Sequence, residues 1–308
     1  MRERLRALRR ALLPHEVAFV LLLLAVWSWL AAVQGVLGRD SLIWLALLAA
    51  DLLVLALTVP RPTIQRWRVR LSWSLLLMNA VYFELGPVIR ALRGGREDAL
   101  LQRVDTFLFG APLPLLIDRW SHALFSDVLS ACYMVLFPYI FLSCARQVVR
   151  ASRDLVTAQR FFTGLFLAYA IGFAGYLAVP AQGAWLDIPG AFHTVIRGGW
   201  LTRLNARIVL QGSNRVDVFP SLHVAASAFM LFFDRIHAPW RYRAYLLPAI
   251  GLWISTIYLR YHYGIDVIAG FALAAVALAV AERVTPRAVV SVLPTPEPAP
   301  APTPAPTP

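Results

Sequence analysis

Two short polar stretches at the edges of apolar runs hold the side chains most able to do chemistry. One is Asp217–Val218–Phe219–Pro220–Ser221–Leu222–His223; the other is Arg260–Tyr261–His262–Tyr263–Gly264–Ile265–Asp266. His262 and Asp266 are four apart. On a helical turn they share a face, where the carboxylate orients the imidazole and stabilises its charge. A histidine held this way is a good nucleophile or base, and a second histidine nearby, His223, can act as the complementary acid. Pro220 suits the first turn of a helix, which places His223 just inside a helix N-terminus, where amide donors and the dipole favour anions. The chemistry suggested is attack on a phosphate.

The elements that must position these residues are membrane helices. Of 308 residues, 59% are hydrophobic and only 15% charged, with several apolar runs near twenty residues, which excludes an ordinary soluble domain. Apolar spans are predicted near 15–33, 41–59, 71–90, 124–145, 161–180, 222–236, 244–260 and 265–282. That makes about eight transmembrane helices, or a six-helix core if the first two form a separate hairpin. The first span is read as an uncleaved anchor rather than a signal peptide, because its apolar core is long and more spans follow. The span at 222–236 is short for a full crossing. Cys132 and Cys144 fall within one predicted helix, about 18 Å apart by helical rise, too far to pair.

The net charge of +12 comes entirely from arginine among the basic residues; there is no lysine. The arginines cluster beside apolar spans, which points to lipid headgroups and not to nucleic acid. With the N-terminus inside, segments 1–14, 60–70, 146–160, 235–243 and the tail carry 18 of the 29 arginines. The positive-inside rule therefore sets the N-terminus and tail in the cytoplasm. Loops 91–123 and 181–221 and the turn at 260–266 then lie outside, and His223 and His262 meet on one extracytoplasmic face. In the first loop, residues 104–118 read as an amphipathic segment on the bilayer surface. The second holds Trp185, Trp200, Arg197, Arg203, Arg207 and Arg215, suited to interfacial anchoring and phosphate contact. Residues 1–285 are read as one membrane catalytic domain, with the motifs in about 100–275. Residues 286–308, which alternate Pro with Ala and Thr, are read as a disordered tail.

The run Pro220–Ser221–Leu222–His223, followed 39 residues later by His262-x-x-x-Asp266, resembles the type 2 phosphatidic acid phosphatase superfamily. The fuller forms FPSLHVA and YHYGIDVIAG look most like its inositol phosphorylceramide synthase-like, inositolphosphotransferase branch. That resemblance implies an all-α polytopic membrane bundle with an extracytoplasmic site, and an enzyme that needs no metal or other cofactor. It implies His262 as nucleophile, His223 as the acid for the leaving group, and Ser221 as a phosphate contact. The superfamily's first motif, a Lys followed by Arg-Pro, is absent. In the third motif Ser255 fits, but Thr256 stands where an arginine is usual. Arg260 and Arg215 are the substitute candidates for holding the phosphate, followed by Arg207 and Arg119.

The reaction expected is transfer of a phosphoryl or phospho-headgroup from a phospholipid to a lipid alcohol through a phosphohistidine. The first alternative is a lipid phosphate or polyprenyl pyrophosphate phosphatase of the same superfamily. The second is a non-catalytic transporter or scaffold, for which Asp51 and Glu84 are the intramembrane charges. Without Asp266 and the earlier motif, His262 would read as an interfacial residue between Tyr261 and Tyr263. His15, His122, His193 and His237 have no motif around them, and no metal-ligand spacing is present.

Overall fold

The computed structural model describes residues 11–284; residues 1–10 and 285–308, which include the proline-rich tail, lie outside the described residues. In chain order the helices are α1 (Pro14–Gln34), α2 (Arg39–Thr58), α3 (Ile64–Arg93), α4 (Asp98–Phe109), α5 (Leu113–Leu116), α6 (Ala123–Met134) and α7 (Leu136–Arg150). They continue as α8 (Leu155–Ala178), α9 (Ala184–Asp187), α10 (Trp200–Gly212), α11 (Leu222–His237), α12 (Pro239–Tyr258) and α13 (Gly264–Arg283). The fold is all-α, as the sequence predicts.

Among the described residues six helical stretches are long and apolar enough to cross a membrane: α1, α2, α3, the α6–α7 pair, α8 and α13. A helix satisfies its own backbone groups, which is what a hydrocarbon solvent demands. The other two predicted spans are helical but depart from that pattern. With 16 residues, α11 reaches only about 24 Å, short of the ~30 Å hydrocarbon core. In α12, Arg241 and Arg243 sit near the start and Pro248 lies inside. The helix expected to hold both cysteines is interrupted at Val135. Pro138 offers no N–H to the Met134 carbonyl and its ring crowds that oxygen, which explains the break. Both cysteines are free.

The most buried span, α8, forms the centre, with α1, α3, α11 and α13 packed around it. Its inward stripe includes Phe161, Phe162, Phe166 and Phe173. Two glycines bring the motif residues into this core. A Cβ at Gly175 on α8 would stand 2.4 Å from the Pro220 ring, and one at Gly270 on α13 would stand 2.7 Å from the Ser221 carbonyl. Small residues at such seams let a backbone approach closely. Residues 220–223 are thus seated between α8 and α13.

The two ends of the bundle differ in chemistry. At one end Arg70 grips Glu16 with two contacts of 2.8 and 2.5 Å, and Arg68 reaches the carbonyls of Val148 and Val149. There too Arg241 pairs with Asp234 at 2.8 Å, and Tyr139 donates to the same carboxylate at 3.0 Å. The opposite end carries the long connections between α3 and α6 and between α8 and α11, and with them the polar motifs.

Candidate active site

Ser221, His223, His262 and Asp266 converge at the loop-bearing end. Ser221 is the N-cap of α11, its hydroxyl accepting from the Val224 N–H at 3.4 Å. Pro220 therefore precedes the cap and does not occupy the first turn; a hydroxyl can receive an orphan N–H and a proline cannot. His223 is the second residue of the helix, just inside its N-terminus as predicted. The Ser221 N–H donates to the Asp266 carbonyl at 3.1 Å, and Ser221 Oγ lies 3.2 Å from His262 Nε2. The two motifs are tied together through that one serine.

His262 lies in the turn between α12 and α13. Asp266 Oδ2 accepts from the Tyr263 N–H at 2.7 Å, capping α13, and stands 3.5 Å from His262 Nδ1. The four-residue spacing thus works across a helix N-terminus and not down a helix face. Asp266 is fully buried and His262 is 2% exposed. The 3.5 Å between Asp266 and His262 Nδ1 is an ion-pair distance and not a hydrogen bond; a proton on Nδ1 would face the carboxylate and leave Nε2 toward the Ser221 hydroxyl. Burial pushes the His262 pKa down to about 4, against the opposing pull of Asp217, so the ring is neutral at neutral pH. The His223 ring lies 5.9 Å from that of His262, centroid to centroid, and stacks on Tyr133 at 4.4 Å.

The turn holding His262 has its own anchor. Arg260 N–H donates to the Ile257 carbonyl at 2.9 Å and Tyr261 N–H to that of Thr256 at 3.0 Å, a Schellman ending for α12. The left-handed position, usually glycine, is Arg260 with φ 66°. Its guanidinium is fixed by the Asp118 carboxylate and the Thr194 carbonyl, each at 2.7 Å, above the Phe192 ring. Burial alone would raise the Asp118 pKa; hydrogen bonds from Thr194 and the His193 backbone, together with Arg260, hold it below the ordinary value. Arg215, the other arginine expected at the phosphate, is exposed with φ 58°, between Ser213 and Asp217.

Sequence reasoning gave no role to four aspartates that fix this end. Asp98 accepts from the N–H groups of Gln182 and Gly183, and Asp105 from those of Leu113, Gly264 and Ile265. Asp118 accepts from His193 and Thr194, and Asp127 from Gly199 and Thr202. Asp105 and Asp98 share the buried face of α4, while Phe107 on that helix is 87% exposed. The apolar face of α4 points outward, as a segment at a bilayer surface would.

A cavity of about 240 Å³ opens onto both histidines. Its polar end includes Asp217, Gln182 and Tyr133; its apolar end is walled by Met78 and Phe83 of α3 and by Leu136, Phe137 and Ile140 of α7. Among the described residues no arginine lines it. Neither Arg260 nor Arg215 is brought to the cavity wall, and His122 and His193 stay outside it.

A PAP2 superfamily model matches residues 99–280, and the chain belongs to that superfamily. It is an integral-membrane enzyme of the lipid phosphatase and phosphotransferase class. The chain is similar to the phosphoinositol dihydroceramide synthase of Bacteroides thetaiotaomicron, 24% identical over 279 residues that cover 84% of this chain and 89% of that one. No solved structure matches it. The matched region contains every motif residue, while α1 to α3 precede it.

Proposed function

We propose that this chain moves a phospho-headgroup from a phospholipid to a lipid alcohol through a headgroup-phosphohistidine on His262. The observation that carries this is the line Ser221–His262–Asp266, whose central His262 lines a mostly apolar cavity together with His223, while Ser221 and Asp266 lie buried behind the wall. In the first half-reaction His262 Nε2 attacks phosphorus and the bond to the glycerol oxygen breaks. His223, protonated once the anionic phosphate sits beside it, gives that oxygen its proton, so neutral diacylglycerol leaves. In the second, the acceptor hydroxyl gives its proton to His223 while its oxygen attacks phosphorus, and the P–N bond breaks. Asp266 holds the Nδ1 proton and stabilises the developing imidazolium, and Ser221 donates to a phosphoryl oxygen. Arg215, exposed and two residues in sequence from the cavity residues Ser213 and Asp217, is a candidate cation for the phosphate. Arg260, already engaged by Asp118, acts by holding the turn.

The apolar walls suit lipid chains. The loops clamped by aspartates cover the site, which limits water and favours an alcohol acceptor over hydrolysis. The relative's name supplies the first substrates to try, a phosphoinositol donor and a ceramide acceptor. Headgroup-labelled phosphatidylinositol supplied to purified enzyme should give a labelled new lipid only when ceramide or a polyprenol is added, and never in His262→Ala. Free phosphate released from phosphatidate or a polyprenyl pyrophosphate, with no acceptor ever labelled, would replace this reading with the phosphatase one.

The arginine asymmetry supports an extracytoplasmic site with the N-terminus and tail in the cytoplasm, and the apolar runs support up to eight crossings in one catalytic domain over 1–285. Asp105 and His262 are too buried to report sidedness by labelling, so exposed neighbours serve. Single cysteines at Val195 and Arg215, in a background lacking Cys132 and Cys144, should react with impermeant reagent in intact cells. Those at Arg61 and Ser152 should react only after permeabilisation. Labels at 152 and 215 appearing from the same side would sink the topology.

A further inference from the structure

Asp217 is the one carboxylate in the cavity wall, and the mechanism above gives it no part. Its Oδ2 accepts from the Tyr82 hydroxyl at 2.6 Å and its Oδ1 from the Ser213 hydroxyl at 2.8 Å. Its backbone is pinned by a bridge to Ala181. Among the described residues it joins no ion pair, and no arginine lines the cavity to offset it. A fixed carboxylate in a site that must admit a phosphate is unfavourable unless part of the ligand donates to it. A phosphodiester carries no proton to give. Each carboxylate oxygen has accepted one hydrogen bond and can accept another, so the missing partner is a hydrogen-bond donor on the substrate. In the reaction proposed, two groups have that chemistry: hydroxyls of the donor's headgroup and the hydroxyl of the acceptor.

We propose that Asp217, held by Tyr82 and Ser213, is a specificity-determining residue that accepts a hydrogen bond from a hydroxyl group of the lipid substrate. This rests on the phosphotransferase reading. Asp217→Asn is the direct test, because the Tyr82 and Ser213 hydroxyls can rotate to accept from an amide and the fold need not change. Steady-state transfer is measured in mixed micelles with two donors, phosphatidylinositol and phosphatidylmethanol, whose headgroup has no hydroxyl, each with ceramide as acceptor. Loss of a hydrogen bond to a charged group should raise one KM by about ten- to a hundredfold, with little change in kcat.

A rise in the KM for phosphatidylinositol alone places the headgroup hydroxyls on Asp217. A rise in the ceramide KM with either donor places the acceptor hydroxyl there. Unchanged KM values, or a kcat that falls equally with both donors, overturn the proposal while leaving the phosphotransferase reading intact. Absence of any His262-dependent transfer by the unmodified enzyme overturns both. Should Asp217→Asn fail to fold, Tyr82→Phe keeps the charge and releases one support. It should move the same KM in the same direction by a smaller factor, and an unchanged KM there counts against the proposal.

Discussion

His262→Ala is expected to abolish turnover, by roughly 10⁴- to 10⁶-fold in kcat, the scale seen when a covalent nucleophile is removed from a unit whose parts act together. The residue is buried, neutral and aimed by two neighbours, and nothing else on the cavity wall offers an equivalent lone pair beside Ser221. Truncation takes away the ring beside the buried Asp266, whose Oδ2 keeps the Tyr263 N–H at 2.7 Å. Insertion and yield of the variant are therefore measured alongside its activity. Near-normal transfer by correctly inserted His262→Ala would be incompatible with the mechanism.

The second large effect belongs to Asp266, and here the two obvious substitutions should differ. In Asp266→Asn the side-chain oxygen is required where Oδ2 now sits, because the Tyr263 N–H donates to it at 2.7 Å. An oxygen therefore stays about where it is, 3.5 Å from His262 Nδ1. What is lost is the negative charge that stabilises the imidazolium, a fall in kcat on the order of ten- to a thousandfold with KM little changed. Asp266→Ala removes the cap, the tautomer control and the charge together, and should exceed the Asn variant by about a further tenfold or more. Both are read by kcat at saturating donor and acceptor. Equal losses in the two variants would mean that Asp266 acts only through its charge.

Much of the fold was legible in the sequence because hydrophobic length is a one-dimensional signal. So is the pairing of the Pro220–His223 run with His262 and Asp266, whose residue types state their chemistry. The local geometry was less legible. The spacing of His262 and Asp266 suggests a shared helix face, yet the helix starts between them, and the serine rather than the proline caps α11. Those shifts of one or two residues follow from which side chain can accept an orphan N–H, a contest the sequence pattern does not decide. Arg260 looked like a phosphate contact because it is a cation two residues from His262. Its occupation by Asp118, 142 residues away in the chain, is a tertiary fact. The same holds for Asp98, Asp105 and Asp127. Each is an ordinary aspartate until a distant backbone turn presents its N–H groups. The faint signal was the number of aspartates in apolar outer segments, where an unpaired carboxylate would be unfavourable.

The most direct test of the account is to trap the intermediate. His223→Ala should still be phosphorylated by an activated diester bearing p-nitrophenol, a leaving group that needs no acid, and should then stall because the acceptor lacks its base. The enzyme is quenched in alkali, where a P–N bond survives, and the peptide spanning residues 261–283 is examined by mass spectrometry. The account predicts a burst of about one p-nitrophenol per enzyme and a headgroup-phosphoryl adduct on His262, absent when His262 is also replaced. A full burst with the adduct on another residue, or steady release with no adduct at all, would contradict it.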